Sequence, residues 1–274
     1  MPGPSFTTSH QTLSVASAAG VLPAKIIRPS DQSGLPPLVV LHGISRNADE
    51  LVDLFRAEAE RSGRIVVIPH FSEKRWPIFQ RPSRAARPDL ALLALLTHVA
   101  AVESALSGSF DLFGHSGGAQ LAHRFAMLYP HKVGRVHLVA AGWYCLPDAG
   151  MPYPYGLGAN ETPGSQRWVR RHEQALAAYL RLKVQVFVGT NDIGRDESLR
   201  KNHALDLLQG RTRLARAETY VQRFTDAAHA RAIRPDITLI HLPGVAHDVA
   251  EAIRKTGLAR LVADRPPPQL AAAS

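Results

Sequence analysis

The chain has 274 residues, 45% of them apolar and 20% charged, which excludes a disordered protein and leaves room for a sizeable core in one large or two small domains. Its net charge is +9, but the cations are mostly arginines scattered along the whole length, with no basic stripe interleaved with aromatics, so nucleic acid is not an expected partner. A single cysteine, Cys145, excludes an internal disulfide, and the longest apolar stretch, Leu90 to Leu96, is far short of the ~20 residues that span a bilayer.

Residues 1–10 are polar and expected to be flexible, and the first 18 residues show neither a basic region nor a long apolar core, so no export signal is read and the protein is expected in the cytoplasm. Thr12 to Ala16 and Ala24 to Arg28 alternate enough for two edge strands, with Gly20 and Pro23 marking the turn. Leu38-Val39-Val40-Leu41 is continuously apolar between Pro37 and Gly43, the pattern of a strand buried on both faces of a parallel sheet. Asn47 with Glu50 three residues on reads as an N-cap and its reciprocal partner for a helix that ends at Gly63. Residues 64–69 form the next strand, and Pro88 opens a helix reaching near Gly108. Residues 133–141 and 184–189 read as strands, Ser165 caps a helix to about Arg181, and a long helix covers roughly 212–231. Asp236 to Leu242 is the last strand, followed by a short helix, and residues 264–274, with three prolines, form a loose tail. Strands and helices alternate from residue 38 onward, which predicts for residues 11–263 an α/β fold with a mostly parallel central sheet and helices on both faces, as one domain without a separate cap domain.

One pentapeptide organises this pattern. Gly114-His115-Ser116-Gly117-Gly118 follows a short apolar strand and precedes a helix with an apolar face, the strand–turn–helix context of a nucleophile elbow. Such a turn holds the serine in a strained conformation, and its neighbours must be small where strand and helix approach. A serine nucleophile needs a base, an orienter for the base, and donors for an oxyanion. Asp192 lies just past the 184–189 strand and His247 just past the 236–242 strand, so acid and base follow the serine in order, each at a strand's carboxyl end. Ser116 would attack an acyl carbon, His247 shuttle the proton, and Asp192 fix the imidazole tautomer. Asp196 is a second candidate for the acid. The oxyanion donors would be the backbone N–H groups of Gly117 and of Ile44, after His42-Gly43. His42 supports that loop, and His115 occupies the elbow's variable position as a structural residue. His172-Glu173 begins like a zinc-binding H-E-x-x-H run but lacks its second histidine, so no metal or other cofactor is expected.

His42-Gly43, Gly114-His115-Ser116-Gly117-Gly118, Gly189-Thr190-Asn191-Asp192 and Gly244-Val245-Ala246-His247 together resemble the motif set of the α/β-hydrolase superfamily, over about residues 12 to 258. Within it the chain is similar to small bacterial serine esterases akin to polyhydroxyalkanoate depolymerases and feruloyl esterases. The resemblance implies the α/β-hydrolase fold and cleavage of a small-molecule carboxylic ester through an acyl-enzyme. It leaves open a peptidase, a thioesterase or an acyltransferase on the same fold, or an inactive binding module. The lipase-type His-Gly-Gly-Gly run is absent, since Ile44-Ser45 follows Gly43, and a serine at the elbow argues against dehalogenase or epoxide-hydrolase chemistry.

The loops 71–87 and 142–164 fall at carboxyl ends of strands, where ligands bind in open α/β sheets. Trp76, Trp143 and Tyr144 are candidates to line the substrate pocket, with Phe79, Tyr153 and Tyr155 nearby in sequence. Arg75, Arg81, Arg84 and Arg87 would either attract an anionic substrate or form a solvated basic loop. No membrane partner is expected, and nothing in the sequence sets an oligomeric state.

Overall fold

The computed structural model describes residues 10–83, 86–103, 108–161 and 165–264; the ends expected to be loose, residues 1–9 and 265–274, lie outside the described residues, as does Arg84. The chain opens with a hairpin, β1 (His10–Ser17) and β2 (Gly20–Ile27), in whose turn Gly20 takes φ +125° and the Ser17 hydroxyl donates to the Gly20 carbonyl at 3.0 Å. His10, read as part of the flexible start, is the first residue of β1. Pro23, expected in the turn, stands inside β2, where its carbonyl accepts from the His70 N–H at 2.8 Å. A proline there loses only a donor, and its acceptor is used.

The four-residue strands β3 (Leu38–Leu41) and β4 (Val66–Pro69) are buried throughout, as are β5 (Phe110–His115) and most of β6 (Val133–Val139) and β7 (Lys183–Gly189); β8 (Asp236–Leu242) closes the sheet. The strand order is β1-β2-β4-β3-β5-β6-β7-β8, parallel from β4 onward, so β1 alone of the opening pair is an edge and β2 is paired on both sides. Alternation along each strand divides the core in two. Val39, Leu41, Leu112 and Val186 face one layer, with α2 (Pro88–Val102), α3 (Gly117–Leu128), α4 (Ser165–Tyr179) and α6 (Arg213–His229) packed over it. Leu38, Val40, Phe113 and Phe187 face the other, covered by α1 (Ala48–Ser62), α7 (Val249–Thr256) and α8 (Leu258–Ala263). This double cover is the reason the central strands read as unbroken apolar runs. No separate cap domain is built from the described residues, and no helix among them is long and apolar enough to cross a membrane.

Local signals held where a side chain or glycine caps a helix. Gly63 ends α1 in the left-handed region at φ +65°, and the Thr212 hydroxyl accepts from the Ala215 N–H at 3.2 Å to start α6. Asn47 is different: its side chain caps nothing and instead donates to the Glu50 carboxylate at 2.7 Å. The short α5 (His203–Gln209), with Asn202 accepting from the Leu205 N–H at 3.0 Å, was not anticipated because seven residues carry too little periodicity. The helix from Pro88 ends at Val102, earlier than the expected Gly108.

Beneath the sheet, Arg64 and Asp111 pair at 2.8 Å with both side chains wholly buried, and Arg64 also donates to the carbonyls of Pro36 at 2.6 Å and Ala263 at 3.0 Å. This guanidinium ties α8 to the base of β5. Removing one partner of a buried pair strands the other charge. Arg64→Met is therefore expected to cost about 3–5 kcal/mol in urea unfolding, and Arg64→Met with Asp111→Leu to recover part of that loss.

Burial also lowers the pKa of five histidines: His42, His137 and His172 fall from 6.5 to about 4, and His115 and His123 lie well below their ordinary value. Below 6.5 the unfolded chain takes up protons that the folded chain refuses until about 4, so their contribution is complete above 6.5 and lost as pH falls through that window. The urea midpoint is expected to drop between pH 7 and pH 5, with proton uptake on unfolding measurable by calorimetry in two buffers.

Candidate active site

The site is assembled at the carboxyl edge of β5, where the chain must turn sharply from strand into α3. Ser116 takes φ +53° and ψ −113°, a conformation costing about 1–3 kcal/mol for a residue with a side chain. The surrounding contacts enforce it. A Cβ on Gly118 would stand 2.1 Å from the Leu41 carbonyl oxygen, and one on Gly114 would stand 2.4 Å from the Gly118 backbone. The glycines therefore allow strand and helix to close on β3, and the Ser116 N–H bonds the Val139 carbonyl at 2.9 Å. Ser116 is left 7% exposed at the floor of a groove.

The loop after β8 delivers His247. Its Nε2 lies 3.1 Å from the Ser116 hydroxyl, and its Nδ1 lies 2.9 Å from Oδ2 of Asp192, on the loop after β7. These two loops are laced together: the Asn191 N–H donates to the Val245 carbonyl at 3.0 Å, and the Gly244 N–H to the Thr190 hydroxyl at 2.9 Å. Behind His247, the Glu251 carboxylate accepts from the Ala246 N–H at 2.9 Å. Nδ1–H donating to the carboxylate leaves Nε2 free to accept the serine proton. Sequence order and strand position brought these three residues to one line across separations of 55 and 131 residues.

Asp196, the other candidate acid, is not at the histidine. It accepts from Arg213 at 2.6 and 3.0 Å and from Ser198, and the Arg213 guanidinium holds its carboxyl well below the usual range. Arg213 is the residue that sequence reading missed. It is 1% exposed, and Nη1 also donates to Oδ1 of Asp192 at 3.1 Å, on the oxygen opposite the one that faces His247. Arg213 sits 21 residues beyond Asp192, at the first turn of α6, with no motif to announce it.

His42 is wholly buried. Its Nε2 accepts from the Phe71 N–H at 3.0 Å, so Nδ1–H donates to the Gly43 carbonyl at 2.7 Å and anchors the loop that carries Ile44. A Cβ on Gly117 would meet the Ile44 side chain at 3.0 Å and the Ile44 nitrogen at 3.5 Å, so Gly117 and the Ile44 backbone lie close together beside Ser116. His115 stacks on His247 with ring centroids 4.9 Å apart; burial first, then His247 and Arg213, keep it neutral. Cys145 is wholly buried, its thiol donating to the Gly156 carbonyl at 3.2 Å, and burial pushes its pKa up to about 11, so it is no nucleophile.

The groove above Ser116 measures about 330 Å³ and is lined by Ile44, Ile78, Arg81, Gln120, Trp143 and Arg200, among others. Of the aromatic candidates only Trp143 lines it. Trp76 is packed into the core edge-on to Phe71, and Tyr144 lies flat on Tyr220 at 4.3 Å with no exposed surface. Both are long-loop aromatics that plug the sheet, because burying a large ring is worth more than lining an open groove. Phe79 stacks on Phe71, and Tyr153 on Trp168. Of the arginines in that loop, Arg87 is paired with Asp89 at 2.7 Å and Arg81 faces the groove. Gln120 was overlooked, although one helical turn past Ser116 puts it on the same edge; its Oε1 is buried without a partner among the described residues. Neither is there a cluster of metal-ligating side chains among the described residues.

Substituting Arg213 tests the support behind the acid. Arg213→Met removes a cation and leaves Asp192, the carboxylate at His247, and the neighbouring Asp196 without their shared guanidinium. Activity is expected to fall about ten- to a hundredfold, with the acid limb of the kcat/KM profile moving to higher pH and Arg213→Lys restoring part of that shift. An unmoved limb would assign Arg213 to structure alone.

No protein-family model matches the chain, and no curated protein matches it by sequence. Solved structures do. Poly(aspartic acid) hydrolase-1 from Sphingomonas sp. KT-1 superposes with a TM-score of 0.80 at 24% identity, over 94% of this chain and 99% of that one. A poly(3-hydroxybutyrate) depolymerase from Bordetella parapertussis gives 0.78 at 26% identity, over 93% and 90%. An esterase from the archaeon Pyrobaculum calidifontis gives 0.56 at 19%, over 93% and 82%. With its mostly parallel sheet and its whole-length likeness to the depolymerase, the chain is a member of the α/β-hydrolase superfamily and, at that level, a serine hydrolase.

Proposed function

We propose that the protein cleaves carboxylic esters through Ser116, His247 and Asp192, with the N–H groups of Gly117 and Ile44 receiving the oxyanion. One observation carries this reading: the hydrogen-bonded line from Asp192 through His247 to a serine hydroxyl, 2.9 and 3.1 Å long, at a strained turn opening into a groove. As Ser116 Oγ attacks the ester carbonyl, His247 Nε2 takes its proton, and the imidazolium so formed is stabilised by Asp192. The tetrahedral oxyanion turns towards these two amides, each a donor worth about a hundredfold or more in rate. Collapse expels the alcohol, which takes the proton back from His247, and leaves an acyl-serine. A water, deprotonated by the same imidazole, repeats the sequence and releases the acid.

An ester rather than another acyl compound is favoured by the esterase and the poly(3-hydroxybutyrate) depolymerase among the similar structures. Thioester, peptide and acyl-transfer chemistry use the same residues, and matched substrates separate them. The buried thiol of Cys145 needs no oxidising compartment and fits the cytoplasm, which cell fractionation checks.

The purified protein is expected to hydrolyse p-nitrophenyl butyrate and to be labelled by a fluorophosphonate at Ser116. Ser116→Ala should abolish labelling and lower kcat by about 10⁴-fold or more, with His247→Ala comparable. Absence of both turnover and labelling in the parent protein would falsify the reading and leave a binding scaffold.

A further inference from the structure

The groove holds positive charge that ester cleavage itself does not need. Arg81 and Arg200 line it, with Glu197 as the one carboxylate beside them. Other arginines around the site are ion-paired: Arg213 with Asp192 and Asp196, Arg195 and Arg216 with the one carboxylate of Asp206, Arg87 with Asp89. Among the described residues, Arg81 and Arg200 have no carboxylate within ion-pairing distance. Arg200 is seated instead on aromatic faces, its guanidinium carbon 5.7 Å from the Trp143 ring and 5.6 Å from the Tyr155 ring. A guanidinium held by its face keeps its N–H edge, whose fork matches a carboxylate. Below the same Trp143 ring, at 4.4 Å, lies Arg124, 1% exposed and bonded to the carbonyls of Gln120 and Pro154. Its charge adds to the potential of the groove floor, where low polarisability weakens screening.

The charge continues outward. Immediately past Arg200, Lys201 and Arg211 border a second cleft of about 560 Å³, and its only acid, Asp206, is already paired with Arg195 and Arg216 at 2.8 Å each. With a net charge of +9 behind it, this edge favours encounter with anions.

We propose that the substrate is an ester carrying a carboxylate, which Arg81 and Arg200 bind in the groove beside the bond that Ser116 attacks. This rests on Ser116 being the nucleophile. The carboxylate belongs to the acyl part or to the alcohol part of the ester, and the two arms of one experiment tell them apart. The acyl arm compares mono-p-nitrophenyl adipate with p-nitrophenyl heptanoate, and the alcohol arm 3-acetoxybenzoate with 3-ethylphenyl acetate. In at least one arm the parent is expected to favour the anion about tenfold in kcat/KM, chiefly through KM. Salt at about 0.5 M should shrink that ratio. Arg81→Gln and Arg200→Gln, checked for folding by circular dichroism, should each bring the ratio towards one, and Arg200→Glu should invert it. Equal or better use of the neutral ester in both arms by a parent that labels with fluorophosphonate overturns this proposal alone, as does a ratio unchanged in the double Gln variant. A parent that neither labels nor turns over any of the four esters removes the Ser116 reading and this preference with it.

Discussion

The turn at Ser116 is the constraint from which the rest follows. Three backbone segments, β3, β5 and the first turn of α3, meet there at distances that exclude a Cβ at Gly114 or Gly118. That approach forces φ +53° on Ser116 and lifts its hydroxyl to the edge of the sheet. The strain is held by what lies on either side, fully buried strands below and a fully buried helix above. A sheet covered on one face only would leave that corner free to relax, so the two apolar layers are as much a part of the site as the serine.

Order in the loops has a different source. The loops bearing Asp192 and His247 belong to neighbouring parallel strands, so their carboxyl ends lie side by side, and backbone bonds between residues 189–191 and 242–245 fix their spacing. Electrostatics then decides which carboxylate faces the histidine. Arg213 occupies one oxygen of Asp192 and most of Asp196, leaving Asp192 Oδ2 for the imidazole. The buried guanidinium of Arg213 is shared between the buried carboxylate of Asp192 and the exposed one of Asp196. Because Arg213 also holds Ser198, the support behind the acid is joined to the wall of the groove.

The groove mixes surfaces with different tasks. Trp143 gives a flat apolar wall, Gln120 a buried acceptor, and the arginines a positive rim. Hydrophobic wall and cationic rim are compatible because guanidinium groups stack on aromatic rings while staying solvated at their edges. The other tryptophan and tyrosine candidates went to the core, where Phe71, Phe79 and Tyr220 offer ring faces that solvent does not.

By itself the sequence determined the parallel sheet, the glycine-flanked turn at Ser116 and the placing of Asp192 and His247 at the ends of later strands, because each is written in local terms: apolar runs, glycines at a tight turn, and loops following strands. Tertiary structure alone decided which aromatics line the groove, since Trp76, Trp143 and Tyr144 share composition and loop context and differ only in the neighbours that folding brings to them. It alone introduced Arg213, whose partners lie 15 to 21 residues away without periodicity, and it alone set Arg81 and Arg200, from loops 119 residues apart, on one groove. Strand periodicity and turn chemistry are properties of consecutive residues; burial and charge balance are properties of what those residues meet.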